Sequence, residues 1–446
     1  MNAITRRQAC GLFAAPLFAQ TRAQAPSRPN FVFILIDDMR WDSYGHAGHP
    51  FIKTPNIDRV AREGAQFTNA FVTTPLCSPS RGSYLTGQYV QTHGVVGNTP
   101  AGGPISHKLE TFPKLLNASG YETGYFGKWH MGTDSSPRPG FDRWVSFRGQ
   151  GVYNDPLLNI DGKETKQEGY ITDILSSHAA DFIEKPRAKP FCAYIGHKAI
   201  HGPFTPAERH KNFYTTEPLK IAPNAADDLK DKPALKETKP GGGSGDELIR
   251  NQLRCIAAID EGVGKLLASL EKTKQLDNTV FVFTSDNGYF WREHGLGDKR
   301  WAFDESIRIP LLIRYPKLLK PGTKIPAIVA NIDIAPTFLA LAGAPIPSAI
   351  QGKSLLPVLK NPKAKVRTEL FCEYFLEAQF PRTPSWRAIR SERYKYVHYP
   401  ELQGADEFYD LQKDPGEMKN IIADPKAKSF HARLIKPGVP NPPPAR

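Results

Sequence analysis

Oxygen-bearing side chains follow two apolar runs of the sequence, FVFILI and TVFVFTS: Asp37, Asp38, Asp286 and Asn287. In an open parallel sheet, ligands bind beyond the carboxyl ends of the strands, so these four side chains can meet at one edge. Together they predict a site for one divalent cation that prefers oxygen ligands, above all calcium. For each motif alone there is a local alternative, in which Asp-Asp caps a helix and Asp-Asn-Gly forms a turn.

Basic side chains follow two further apolar runs. The segment GKWHMG after YETGYF supplies Lys128 and His130, and HKAIHGPF after PFCAYIG supplies His197 and His201. Lys299 lies in HGLGDKRW, on the loop that follows Asp-Asn-Gly. Positive groups near an oxygen cage predict that something anionic binds above the cation.

The segment CSPSRGSYLTG (77–87) has the composition of a helix start. Pro79 suits the first turn and Ser78 is a favourable cap just before it. Cys77 then lies at a helix N-terminus, where amides and the dipole favour negative charge, and Arg81 follows one turn later. These residues alone indicate a reactive thiol with an arginine partner, although no companion base is evident and the oxygen cage stays unexplained.

These motifs need a parallel sheet to bring them together. Its strands are predicted at FVFILI, YETGYF, PFCAYIG, TVFVFTS and IPLLIRY, since short apolar runs between helical patterns are typical of strands buried on both faces. Apolar residues recur at spacings of three and four from about Asp246 to Lys272, which predicts a long helix. The polar stretch 218–245, with GGGSG, predicts a long loop or insertion.

The two ends of the chain differ from its middle. Paired arginines before GLFAAPLFA predict a twin-arginine export signal over 1–25, with cleavage after Ala25 or Ala19 as alternatives. The catalytic domain is predicted over 26–368. From 369 to 446 we expect a small antiparallel subdomain and a proline-rich tail.

Composition narrows the function classes. No apolar run after the signal is long enough to span a bilayer, so no stable membrane insertion is expected. The net charge of +13 suits an anionic substrate, but the basic residues are scattered and form no nucleic-acid-binding motif. The widely spaced cysteines predict neither a zinc site nor a disulfide framework, and Cys192 and Cys255 are expected in the core.

Cys77-Ser78-Pro79-Ser80-Arg81 resembles the signature of type I sulfatases, in which the cysteine is oxidised enzymatically to Cα-formylglycine. IDDMRWD, GKWHMG, HGPF, SDNG and GDKR are similar to the other motifs of that family and occur in the same order. The resemblance covers nearly the whole chain after the signal. It implies an alkaline-phosphatase-like α/β fold, with a mostly parallel central sheet flanked by helices and a small C-terminal antiparallel sheet.

The resemblance also implies roles for single residues. One calcium ion would be held by Asp37, Asp38, Asp286, Asn287 and the formylglycine made from Cys77. The hydrated formylglycine would attack sulfur and displace the alcohol. Arg81 and Lys128 would stabilise the hydrate, and His130 would help to remove a proton from it. Sulfate oxygens would be bound by His201 and Lys299, one of which would protonate the leaving alkoxide; His201 is preferred to His197 because His-x-Pro-Phe matches the family pattern.

The implied function is a sulfuric ester hydrolase, exported to the periplasm or cell exterior, that depends on a formylglycine-generating maturation enzyme. HKAIHGPF and PGFDRWVSFRGQG resemble bacterial sulfatases of sulfated sugars, so a sulfated glycan or small molecule is the expected substrate. One alternative is a phosphonate or phosphodiester hydrolase with the same formylglycine. The others are a non-catalytic, calcium-dependent anion-binding protein and a thiol enzyme that uses unmodified Cys77.

Overall fold

The computed structural model describes residues 28–98 and 103–435. Its strands are β1 (Asn30–Ile36), β2 (Ala65–Phe71), β3 (Glu122–Gly127), β4 (Arg143–Ser146), β5 (Leu157–Ile160), β6 (Lys163–Lys166), β7 (Phe191–Gly196), β8 (Thr279–Ser285), β9 (Leu311–Arg314), β10 (Thr323–Ala330), β11 (Glu369–Tyr374), β12 (Trp386–Ser391), β13 (Tyr394–His398) and β14 (Glu407–Asp410). Its helices are α1 (Pro55–Glu63), α2 (Cys77–Thr86), α3 (Val90–His93), α4 (Gly103–Ser106), α5 (Phe112–Ala118), α6 (Ile171–Glu184), α7 (Pro233–Thr238), α8 (Asp246–Lys272), α9 (Asp304–Ile307), α10 (Ile334–Ala342), α11 (Leu356–Lys360) and α12 (Lys426–Leu434).

One large sheet carries the chemistry-bearing loops. Its ten strands lie in the order β10-β2-β9-β8-β1-β7-β3-β4-β5-β6. The central strands β8, β1, β7 and β3 run parallel, whereas β9, β5 and β6 pair antiparallel with their neighbours. The carboxyl ends of β8, β1, β7 and β3 therefore meet at one edge, as the sequence predicts.

The central strands are buried on both faces. All seven residues of β1 are buried, and its alternate side chains join two different apolar clusters. Phe31, Phe33 and Leu35 pack on one side, and Val32, Ile34 and Ile36 pack against the helices α6 and α8 on the other. This explains why β1 is an uninterrupted apolar run, and it confirms the strand and helix predictions for this region.

A second sheet is formed by the antiparallel strands β11-β12-β13-β14. Helix α12 packs on it through Phe430 and Leu434, which contact an apolar cluster that includes Ile389 and Phe408. The predicted small antiparallel sheet is confirmed. The division of the chain at 368 and 369 stays a prediction, and β11 begins at Glu369.

The stretch 218–245 is more structured than its polar composition indicates. It contains helix α7 and a short 3-10 helix at Pro223–Ala226. Lys232 is fully buried there and pairs with Asp227, Nζ to Oδ2 at 2.9 Å. The rest of the stretch is a long connection, as predicted, but α7 anchors it to the core through the buried side chains of Ala234 and Leu235.

The predicted signal at 1–25 lies outside the described residues. Within the described part of the chain, no helix is long and apolar enough to cross a membrane. The four cysteines in that part, including Cys192 and Cys255, are all buried and unpaired, as expected.

Candidate active site

Three carboxylates converge where β1 and β8 end. These strands pair in register, Ile36 opposite Ser285, so the residues after them are neighbours. One oxygen each from Asp37, Asp38 and Asp286 lie within 4.8 Å of one another, and all three residues are buried. The backbone N–H of Asp38 donates to Asp286 Oδ1 at 3.1 Å, which fixes the two strand ends relative to each other.

Asn287 completes this group of oxygen atoms. Its Nδ2 donates to Asp38 Oδ1 at 2.7 Å, while its buried Oδ1 has no hydrogen-bond partner. An unpartnered buried oxygen beside three carboxylates is what a hard divalent cation would satisfy. The residues present therefore fit a hard divalent cation such as calcium.

Cys77 reaches the same point from a different element. Helix α2 begins at Cys77, and its thiol lies 3.5 Å from Asp37 Oδ1 and 3.4 Å from Lys299 Nζ. The prediction that Ser78 caps this helix is wrong, because the N-cap residue is Leu76. Ser78 Oγ instead donates to the backbone oxygen of His130 and lies 3.3 Å from His130 Nδ1.

Arginine and lysine side chains neutralise the carboxylates. Arg81 donates from Nε to Asp286 Oδ2 at 2.9 Å and from Nη2 to Asp37 Oδ2 at 3.2 Å. Lys128 donates to Asp37, and Lys299 donates to Asp38. The structure thus places every predicted cation beside the cage, and each of them is buried.

These charges oppose the effect of burial on the carboxyl groups. Burial alone would raise the pKa of Asp37, but the charges of Lys128 and of its other basic neighbours hold it well below its usual range. Burial and the charge of Asp37 raise the pKa of Asp286 to about 7. A further positive charge at this place would favour the ionised form of Asp286.

The thiol of Cys77 is a poor nucleophile in this setting. Burial, and then the charge of Asp37, raise its pKa to about 12, so the thiolate is disfavoured despite the nearby lysines. This counts against the thiol-enzyme alternative.

Three histidines lie near the cage, but only two face it. His201 Nε2 lies 3.9 Å from Asp38 Oδ2, and burial and Lys128 lower the pKa of His201 to about 4. Burial and Lys128 also hold the pKa of His130 well below its usual range. His197 is 1% exposed, and its buried Nδ1 has no hydrogen-bond partner. Its alternative role in binding the sulfate stays a prediction.

A cavity of about 520 Å³ opens beside Lys299. One wall is the glycine-rich segment 240–245, and the opposite wall comes from the loop between β11 and β12, with Phe380 and Arg382. Tyr289 and Trp301 also line it. The sequence analysis missed Phe380 and Arg382, whose only signal is their place in a polar loop.

Models of two protein families match the sequence of this chain. The model of the sulfatase family matches residues 29–344. The model described as N-sulphoglucosamine sulphohydrolase, C-terminal, matches residues 292–437. Together the two matches extend from the strand before Asp37 to the last helix that the structure describes.

Similar proteins cover nearly the same part of the chain. An N-acetylglucosamine-6-O-sulfatase of Bacteroides thetaiotaomicron is 34% identical, over 91% of this chain and 84% of that protein. An ulvan-active sulfatase of Formosa agariphila is 32% identical, over 92% of this chain and 80% of that protein. A solved structure in complex with its substrate D-glucosamine-2-N,6-O-disulfate has a TM-score of 0.83 and 34% identity, over 92% of this chain and 97% of that chain.

Proposed function

The chain belongs to the sulfatase family, and on this premise we propose that it is an exported hydrolase of sulfate esters on carbohydrates. The observation that carries the proposal is that the Asp37 carboxylate and the Lys299 ammonium both lie within 3.5 Å of the Cys77 thiol. The reaction takes up water and yields an alcohol and sulfate. The sugar is inferred from relatives whose names specify N-acetylglucosamine-6-O-sulfate or ulvan.

Two chemical groups complete this site in our proposal. Calcium, held by Asp37, Asp38, Asp286 and Asn287, supplies positive charge that polarises the sulfate group. Formylglycine, made from Cys77 by a maturation enzyme, supplies a hydrated aldehyde as nucleophile. Maturation would have to precede export if the twin-arginine signal carries the folded chain.

The cationic side chains hold the reacting groups. Arg81 donates to Asp286 and to the backbone oxygen of Lys128, and Lys128 donates to Asp37, so both side chains hold the cage in place. Lys299 lies 3.4 Å from the sulfur at position 77 and can bind a sulfate oxygen. Positive charges fixed before the reaction stabilise the negative charge that develops during sulfate transfer, without any reorganisation.

The two histidines move protons. The lowered pKa of His130 makes its imidazole neutral, so one ring nitrogen is available to accept a proton from the hydrated side chain. Burial lowers the pKa of His201 and the lysine charges lower it further; the negative charge of a bound sulfate ester would offset the lysine charges and favour a protonated ring that can donate. We therefore assign protonation of the leaving oxygen to His201 and binding of the sulfate to Lys299.

The cavity beside Lys299 is suited to the sugar. Phe380, which is 38% exposed, offers apolar surface on which a sugar face can pack, and Arg382 offers a charge for a second anionic substituent. A volume of about 520 Å³ accommodates a mono- or disaccharide.

The deciding experiment is peptide mass spectrometry of protein from a host with the maturation system. Conversion lowers the mass of the peptide that contains Cys77 by roughly 18 Da and creates a carbonyl that a hydrazide traps. An intact thiol despite a competent maturation enzyme would contradict the mechanism. If the modification is present, hydrolysis rates of 6-O-sulfated glucosamine and of a phosphonate monoester and a phosphodiester then distinguish a sulfatase from the phosphonate or phosphodiester hydrolase alternative.

A further inference from the structure

A second cluster of metal-binding residue types lies in the C-terminal sheet. His398 ends β13, Asp406 lies just before β14, and His431 belongs to α12. The three residues come from different elements, yet one ligand atom from each lies within 4.8 Å of the others. None of the three belongs to the cage formed at the ends of β1 and β8.

The spacing of the donor atoms suits a small ion. His398 Nδ1 lies 2.9 Å from Asp406 Oδ1, and His431 Nδ1 lies 3.8 Å from Asp406 Oδ2. In a tetrahedral zinc site with bonds of about 2.1 Å, ligand atoms are about 3.4 Å apart. The two distances, one to each oxygen of Asp406, bracket that value, so small side-chain rotations would give three ligands around one ion.

The cluster is accessible but held in place. The side chains of His398, Asp406 and His431 are 26%, 22% and 39% exposed, which leaves room for a water molecule as fourth ligand. Tyr396 donates its hydroxyl to Asp406 and lies 2.9 Å from His431 Nδ1. A neighbour that hydrogen-bonds the carboxylate of Asp406 orients this ligand and tunes its affinity.

No stronger cation competes for the carboxylate. Among residues 28–98 and 103–435, the ion-pair partners of Asp406 are the two histidines alone. Other acidic side chains of the same sheet pair with arginine or lysine, as Asp410 does with Arg393. A carboxylate that is flanked by imidazoles and lacks such a partner suits a divalent metal of the zinc type, because imidazole is a preferred ligand of these ions.

We propose that His398, Asp406 and His431 form a second metal site, which binds Zn²⁺ or another first-row divalent transition metal. The bound ion would join α12 to β13 and to the β13–β14 loop. It would therefore stabilise the C-terminal sheet without entering the reaction. This inference does not depend on the proposed substrate or on the modification of Cys77.

The test is isothermal titration of Zn²⁺ into the full chain, purified with a chelator and then kept in excess CaCl2 to occupy the oxygen cage. We expect one Zn²⁺ per chain, and binding at least about 100-fold weaker in His398→Ala and in His431→Ala, because two ligands rarely hold the ion. Tyr396→Phe should weaken binding about 10-fold. The control is His107→Ala. It removes an exposed histidine outside the cluster, whose Nε2 lies 2.8 Å from Asp134 Oδ2.

Circular dichroism without metal shows whether each variant folds, and His398→Gln replaces the alanine variant if it does not. Thermal unfolding with and without Zn²⁺ gives a second readout, since only a chain with the site should gain stability from the ion. The proposal is overturned if the wild type takes up no Zn²⁺ beyond the oxygen cage. Equal uptake by the wild type and both alanine variants would also overturn it, and the three residues would then form only a hydrogen-bonded network.

Discussion

Asn287→Asp tests the calcium cage with almost no change of shape. The amide Nδ2 of Asn287 donates to Asp38 Oδ1 at 2.7 Å, and its Oδ1 is buried without a partner. The substitution replaces this donor by a carboxylate oxygen that faces another carboxylate. It therefore adds repulsion in the absence of calcium and adds a charged ligand in its presence.

The size of the effect follows from the distance. Two unit charges 2.7 Å apart repel by about 6 kcal/mol at an effective dielectric constant of about 20. The variant can avoid this repulsion if one of the two carboxyl groups takes up a proton, because a protonated carboxyl restores the hydrogen bond. At pH 7, and for a carboxyl with a pKa of about 4, this proton uptake costs about 4 kcal/mol, which is less than the repulsion. The variant should therefore lose about 4 kcal/mol of stability in chelator, and most of this loss should disappear when calcium binds between the carboxylates.

The assay is thermal unfolding of the wild type and the variant, each in excess chelator and in excess CaCl2. Asn117→Asp is a matched control, because Asn117 Nδ2 donates to Asp142 Oδ2 at the same 2.7 Å but at an exposed position far from the cage. The control should lose little stability, and the loss should be the same in chelator and in CaCl2. If Asn287→Asp also loses the same amount with and without calcium, the ion does not bind between Asn287 and Asp38.

Three further outcomes follow from the site and its surroundings. Lys299→Met should lower kcat about 10²- to 10³-fold, because it removes one fixed charge that stabilises the transition state. Steady-state kinetics of the folded variant on a sulfated sugar measures this loss, and an unchanged kcat would exclude the role assigned to Lys299. His201→Gln should reduce kcat/KM by about 10²-fold or more, whereas His197→Gln should alter the melting temperature more than the turnover. The reverse pattern would assign protonation of the leaving oxygen to His197 instead of His201. Burial raises the pKa of Glu373 to about 7 from an ordinary 4.5, so the folded chain binds the extra proton and loses stability as pH rises between those values. Glu373→Gln should therefore match the wild type near pH 4.5 and be more stable by about 3 kcal/mol at pH 8 in denaturant titrations, and a constant difference across that range would refute the assignment.

Residues that directly follow apolar strands were predictable. Asp37 and Asp286 come at the ends of two fully buried runs, and the rule that ligands bind beyond parallel strands places them together without a structure. The neighbouring basic segments follow by the same reasoning. Only the strand order was missing, and the structure supplies it by pairing β1 with both β8 and β7.

The walls of the cavity were not predictable in the same way. Phe380 and the segment 240–245 are more than a hundred residues apart in the chain and belong to loops that no periodic pattern marks. Their meeting depends on how the C-terminal sheet packs against the large one, through contacts such as the pairing of Arg300 with Glu377 at 2.8 Å. Local sequence patterns carry no information about such long-range contacts.

The balance of charge in the cage bears on why a sulfate ester suits this site. Three buried carboxylates face three buried cations: Asp37, Asp38, Asp286, Arg81, Lys128 and Lys299. Calcium would add two positive charges, and a sulfate monoester brings one negative charge, so the proposed complex keeps one excess positive charge. The released sulfate carries two negative charges, one more than the ester, so the charges of the product complex sum to zero. Stabilisation therefore increases as the ester bond breaks, whereas a phosphate monoester, already a dianion, would be neutralised in the ground state and gain less from the same charges during reaction.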